Sequence, residues 1–235
     1  MWLNDVQISE AAITAHRAAL VSTCPNHVVI DNLFDENKLD EVLRVLQQPQ
    51  QWKLQQHTYA ALYVDKTQWQ NTNPEQRFVQ RYAWQRDVID PDASNKQTFS
   101  SNPAQEFLLF LRSREFMSIL SRIFNVPITD LNVADPDINT NYFRLDAADF
   151  IGQHADDSPG REVCMLLYLN KDWNNDAGGD LVFMGKDKPI NIAPIFNRCV
   201  LFDPASEGSE HWVKALNSQY ADQYRYNVTS WYWSE

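Results

Sequence analysis

The chain has 235 residues, and the 44% that are hydrophobic suffice for one large packed domain, which excludes a generally disordered chain. A formal net charge of −11 argues against a partner gripped through its phosphate backbone, because that kind of binding draws its affinity from Lys and Arg. No stretch reaches the ~18 apolar residues that would span a bilayer, and the opening MWLNDVQISE lacks a basic region followed by an apolar run, so a cytoplasmic protein with no membrane and no nucleic acid among its partners is expected.

The first half reads as mixed. Ser9 caps a helical pattern in SEAAITAHRAAL, and HVVIDNLF follows as a short strand. In DENKLDEVLRVLQQP, Leu39, Val42, Leu43 and Leu46 recur at helical spacing after a capping Asp35, with Pro49 beyond them. Residues 52–84 carry Trp52, Tyr59, Tyr63, Trp69, Phe78, Tyr82 and Trp84 among many Gln. That mixture suits strands and long loops better than helix, and the aromatics serve packing or, alternatively, a lid on the substrate side. One or two helices are expected in SNPAQEFLLFLRSREFMSILSRIFN, with Pro103 near the start.

From about residue 128 short strands alternate with turn signals: TNYFRL, REVCMLLYLN, GDLVFMG, PINIAP, RCVLFD and YRYNVTSWYW. This spacing predicts a sandwich or barrel. The expected fold is α+β but mainly β, a jelly roll (128–235) supported by N-terminal helices and strands (1–127), integrated into one domain. Cys24, Cys164 and Cys199 are odd in number and lack metal-like spacing, so they read as buried, reduced thiols. His16, His27 and His57 have no acidic residue at ligand spacing and read as structural or surface residues.

The chemistry concentrates in GQHADD. His154 and Asp156 are two apart, so on a strand they share a face, but two ligands do not make a site. His211, 55 residues beyond Asp156, is the third candidate. Two histidines and one carboxylate leave part of a metal open, the ligand set of non-haem iron(II) oxygenases. Along YRYNVTSWYW the period of two puts Arg225, Asn227, Thr229 and Trp231 on one face, which suits a polar ligand held inside an open barrel. Tyr168 is a phenol on an apolar strand and needs a hydrogen-bond partner, such as a ligand carboxylate.

The succession FIGQHAD, CMLLYLNKDW, GGDLVF, RCVLFD, His211 and RYNVTSWYW resembles the prolyl 4-hydroxylase branch of the iron(II)- and 2-oxoglutarate-dependent dioxygenases, over residues 128–234. The resemblance implies Fe(II) at His154, Asp156 and His211. It implies that Arg225 pairs with the distal carboxylate of 2-oxoglutarate, that Tyr168 hydrogen-bonds it, and that Thr229 and Trp231 line the same pocket. Gly178 and Gly179 would let a strand start where a side chain would collide. O2 is the co-substrate, ascorbate a candidate reductant, and succinate and CO2 the co-products. Asp156 favours hydroxylation over halogenation, since halogenating members lack that carboxylate. The implied substrate is a prolyl residue in a protein or peptide. A free amino acid or small metabolite, and a non-catalytic ligand-binding jelly roll, are the alternatives. Nothing basic follows Arg225, unlike in the nucleic-acid demethylases of the superfamily. The separation of Arg225 from His211, 14 residues, is longer than in tighter members and leaves Lys214 as a second candidate for the anion.

Overall fold

Capped amphipathic helices and alternating strands account for most of the computed structural model, which describes residues 1–86, 102–131, 133, 138–220 and 222–234. In chain order the elements are α1 (Glu10–Val21), β1 (His27–Asp31), α2 (Glu36–Leu46), β2 (Trp52–Thr58), α3 (Lys66–Asn71), β3 (Arg77–Trp84), α4 (Pro103–Leu111), α5 (Arg114–Phe124), β4 (Thr140–Leu145), β5 (Phe150–Ile151), β6 (Arg161–Tyr168), β7 (Leu181–Phe183), β8 (Ile190–Ile192), β9 (Arg198–Phe202), β10 (His211–Val213) and β11 (Arg225–Trp233).

The helices begin where short polar side chains accept otherwise unpaired backbone N–H groups: Asp35 from Lys38, Asn102 from Ala104 and Ser113 from Phe116. The stripe Leu39, Val42, Leu43 and Leu46 on α2 is buried, as is Phe116, Ile119, Leu120 and Ile123 on α5. Each such side chain contributes roughly 1.5–3 kcal/mol by leaving water. Asn125, in the left-handed region at φ 57°, ends α5. Residues 66–71 form a helix where strand or loop was expected. Asp65 and Gln68 make a reciprocal capping box there, and a local cap of this kind overrides a composition that favours strands. Ser101, the first residue of the stretch expected to hold α4 and α5, lies outside the described residues.

The large sheet runs β1-β9-β6-β11-β4-β3-β2, with β5 added on β3, and the small sheet runs β10-β7-β8. All pairings are antiparallel. The architecture is mainly β, a jelly roll with helices on one side. One face of the large sheet packs on the helices through Val163, Met165, Leu167, Tyr226, Val228 and Tyr232. Its other face meets the small sheet through Cys164, Tyr168, Val200 and Phe202 against Leu181, Phe183 and Ile192. Period-two alternation along β6 and β11 therefore builds two cores at once. Cys164 and Cys199 are buried free thiols, whereas Cys24 is partly exposed, because it sits in the loop after α1 with only its Sγ held by the Glu207 carbonyl. Among the described residues no helix is long and apolar enough to cross a membrane.

Candidate metal and co-substrate site

The open end of the barrel brings His154, Asp156 and His211 together, with one ligand atom from each within 4.8 Å of the others. His154 and Asp156 were expected on a strand. They lie instead just beyond β5, and only His154 makes a bridge, with His211. The strand stops before Gly152, where a Cβ would come within 2.8 Å of the Tyr59 hydroxyl, so the close approach of the Tyr59 turn requires a glycine there. His154 N–H donates to His211 O at 3.0 Å and His211 N–H to His154 O at 2.9 Å, a reciprocal exchange that sets the two rings side by side with centroids 4.2 Å apart.

Each imidazole is oriented by the same device. Nδ1–H donates to a carbonyl two residues back, from His154 to Gly152 and from His211 to Ser209, both at 2.9 Å. Nε2 is thereby left as the unprotonated ligand atom. These Nε2 atoms stand 4.0 and 3.8 Å from the Asp156 carboxylate. Burial, helped by the neighbouring His154, lowers the His211 pKa and favours the neutral imidazole a metal requires. Burial works against the charge of Asp156, but His154, His211, the Trp231 indole and Arg161 together hold its pKa below the usual value. Trp231 Nε1 donates to Asp156 Oδ2 at 2.9 Å, and Arg161 Nη1 donates to the main-chain oxygen of Asp156 at 2.7 Å and to Oδ1 at 3.3 Å. Trp231, expected beside the co-substrate, thus reaches the carboxylate of the candidate ligand Asp156 itself.

Behind this triad, inside the barrel, β11 holds Arg225 with 0% exposure. Its Nε donates to Gly179 O at 2.6 Å and its Nη1 to Asn227 Oδ1 at 2.9 Å, and Asn227 Nδ2 in turn donates to Thr229 Oγ1 at 2.9 Å. Among the described residues, Nη2 of Arg225 and the hydroxyl of Tyr168 are buried without a hydrogen-bond partner, and the guanidinium lies 5.0 Å from the Tyr168 ring. Burial pushes the Tyr168 phenol up to about 12, so it is a donor at neutral pH. A buried guanidinium with no carboxylate against it is a costly arrangement that an incoming carboxylate relieves. Gly179, at φ +73°, admits it: a Cβ there would stand 3.0 Å from Arg225 Cδ and 3.1 Å from Trp173. Lys214 is exposed and its Nζ points to Asp180 at 3.7 Å, away from this pocket. The donors therefore fit both groups the sequence implied: three N/O ligand atoms on one open face for a metal, and a buried guanidinium with one free amine beside a free phenol for a dicarboxylate.

In front of the triad opens a cavity of about 440 Å³, lined by His154, Asp156, Trp231 and Arg161 together with Arg81 and Phe78 of β3. Arg161 and Arg81 were not read as site residues. Arg161 is five residues beyond Asp156 and opens β6, a proximity visible in the sequence, whereas Arg81 lacks any such signal because the pairing of β3 with β4 and β5 brings it here.

Residues 140–233 match the model of the 2OG-Fe(II) oxygenase superfamily. Prolyl 3-hydroxylase OGFOD1 of Mus musculus is 24% identical over 130 residues, 52% of this chain but only 22% of that protein. A Trichoplax adhaerens prolyl hydroxylase, solved with a peptide of the hypoxia-inducible factor oxygen degradation domain, superposes with a TM-score of 0.65 at 22% identity, covering 98% of this chain and 92% of that one. An oxidoreductase of the 2OG-Fe(II) oxygenase family from Burkholderia pseudomallei superposes with a TM-score of 0.63 at 16% identity, covering 97% and 93%.

Proposed function

We propose that this chain, whose residues 140–233 match the 2OG-Fe(II) oxygenase superfamily, is an enzyme of that kind using Fe(II), 2-oxoglutarate and O2, and that it hydroxylates a prolyl residue within a polypeptide and releases succinate and CO2. The observation that carries this reading is the unpartnered Arg225 amine lying behind an open face of two histidines and one carboxylate. Two of the similar proteins are named as prolyl hydroxylases, and one of them was solved with a peptide. These names supply the substrate class.

His154, Asp156 and His211 would hold Fe(II) through Nε2, a carboxylate oxygen and Nε2. Bound there, iron with 2-oxoglutarate and O2 supplies the oxidation that places one oxygen atom in a C–H bond and the other in succinate. The protein's own part is positioning. Arg225 offers a planar fork to the distal carboxylate of 2-oxoglutarate, Tyr168 adds a neutral O–H donor, and the Asn227–Thr229 chain keeps the fork from turning. Trp231 and Arg161 hold Asp156 as a carboxylate in one orientation. The apolar rings of Phe183 and Phe202, 5.8 and 5.1 Å from His211, exclude water from its buried side.

Incubating the enzyme with iron(II), 2-oxoglutarate, ascorbate and O2 against proline-containing peptides and free amino acids, with mass spectrometry for one added oxygen, tests the reading. Oxygen gained by a prolyl residue in a peptide supports it. Activity confined to free amino acids or small metabolites overturns the polypeptide assignment. Failure to bind 2-oxoglutarate in an iron-dependent way, with no succinate formed, would make the chain a ligand-binding jelly roll instead.

A further inference from the structure

The cavity in front of the triad contains a cation that the proposed reaction leaves unused. Arg81 stands on β3 opposite Gln55 of β2. Its Nε donates to Gln55 Oε1 at 3.1 Å, and its guanidinium carbon lies 3.5 Å from the centroid of the Phe143 ring. These two contacts fix the plane of the group, yet among the described residues neither Nη amine has a hydrogen-bond partner, and the side chain lines the cavity. Among the described residues no carboxylate lies within ion-pair distance of Arg81. Asp156, the acidic group whose charge reaches it, is occupied by Trp231 and by Arg161, the other arginine of the cavity.

Burial lowers the Arg81 pKa to about 10, with Tyr63 and Asp156 acting the other way, so the group is charged at neutral pH. Its field is felt across the cavity: burial first, and then the Arg81 charge, push His57 down to about 4. His57 Nδ1 accepts the Tyr63 N–H at 3.0 Å, so this imidazole stands neutral beside Arg81. An arginine stacked on an aromatic face with both terminal amines free presents a two-pronged donor edge, the geometry that matches a carboxylate. Leaving such a charge half-buried without an ion-pair partner is unfavourable, and a bound anion would relieve that cost.

We propose that Arg81 is a specificity-determining residue that receives a carboxylate of the substrate, namely an Asp or Glu side chain of the polypeptide close to the hydroxylated prolyl residue. This rests on the prolyl reading above. An acidic side chain within a polypeptide is favoured over the carboxylate of a free amino acid by the rim of the cavity. Tyr59, Leu62 and Tyr63, in the turn after β2, are 53%, 65% and 63% exposed, and Leu62 and Tyr63 line the cavity. Three exposed apolar side chains beside the cavity offer ground on which a chain could lie. The cavity, at about 440 Å³, has the size of a site that takes more than one side chain.

The test uses capped peptides, acetylated and amidated so that they carry no terminal charge, each with one proline and a single Asp walked through the flanking positions, with Asn counterparts and free proline as separate arms. Binding is measured anaerobically to the protein loaded with iron(II) and 2-oxoglutarate, and oxygen gain by mass spectrometry after air is admitted. At one or two registers the Asp peptide should bind about 10- to 100-fold more tightly than its Asn counterpart. Arg81→Gln should erase that difference while its 2-oxoglutarate affinity stays at the wild-type value, which also shows that the variant folds. Arg81→Glu should turn the preference toward a Lys peptide. Equal binding of Asp and Asn peptides at every register overturns the proposal. So does an Arg81→Gln variant whose main loss is in 2-oxoglutarate affinity, or one whose main loss is in binding free proline. If prolines gain oxygen regardless of the flanking acid, Arg81 has been misassigned and the prolyl reading stands. If acid-dependent binding through Arg81 is seen but no proline gains oxygen, the prolyl reading fails and the carboxylate site stands.

Discussion

The indole of Trp231 donates its only polar hydrogen to Asp156 Oδ2 at 2.9 Å, across 75 residues of sequence. One carboxylate oxygen is thereby tied to the closing strand β11, while Arg161 holds the other from β6. A partner of this kind sets the angle at which a carboxylate meets a metal, and losing one typically costs about 10- to 100-fold in metal affinity. Trp231→Phe keeps most of the ring and removes the donor. It should weaken Fe(II) binding by that order while leaving thermal stability near wild type, as read by anaerobic metal titration alongside melting curves.

Replacing any of His154, Asp156 or His211 by Ala should abolish turnover and lower metal affinity by more than Trp231→Phe does, with the fold retained. The three side chains sit at an open mouth, outside both apolar clusters. Wild-type 2-oxoglutarate turnover by one of these variants would remove that residue from the site.

Arg225→Ala should raise the Kd for 2-oxoglutarate by about 30-fold to several thousand-fold, the range expected when one partner of a buried charge pair is removed. Metal affinity should move little. Lys214→Ala should leave both unchanged, because its Nζ is directed at Asp180. Calorimetric titration of 2-oxoglutarate without oxygen decides between the two residues, and a large loss in the Lys214 variant would mean that the anion enters from the other side.

His57 should make the protein less stable as the solution is acidified. Burial first, then Arg81, lower its folded-state pKa from 6.5 to about 4, so between these values the unfolded chain binds more protons at this group than the folded one. Its contribution to stability is present above pH 6.5 and is lost as the pH falls through the window to about 4. His57→Gln should flatten the pH dependence of urea midpoints there relative to wild type. A steeper dependence in the variant would show the opposite linkage.

The N-terminal elements complete the barrel half. β1 extends the large sheet on β9, β3 pairs with β4 and β5, and the helix stripes cover one face of β6 and β11. We propose accordingly that 1–127 and 128–235 fold as one domain. A chain of 128–235 alone should lack a cooperative melting transition and bind hydrophobic dye. Cooperative unfolding of that fragment would make the two parts independent.

Local patterns in the sequence determined the elements. The α2 stripe follows from side chains three and four apart, and the two faces of β11 follow from a period of two, both of which a chain carries wherever it is placed. Hence the triad, Arg225 and Tyr168 could be singled out from residue type, order and spacing. The pair at 154 and 156 was legible as candidate ligands but not as a loop, since where β5 ends depends on its pairing with β3. The helix at 66–71 hid in a composition rich in Trp, Tyr and Gln because two capping side chains, rather than periodicity, set it.

What only the tertiary structure decided is which groups meet. Trp231 with Asp156, His154 with His211, and Arg81 with Phe143 are 57 to 75 residues apart or brought together by strand register. Register depends on how whole sheets bury their apolar faces, so no short window of sequence encodes it. The same holds for the missing partners of Arg225 Nη2 and Tyr168: an unsatisfied buried donor is a property of everything packed around it, and it exists only once the barrel has closed.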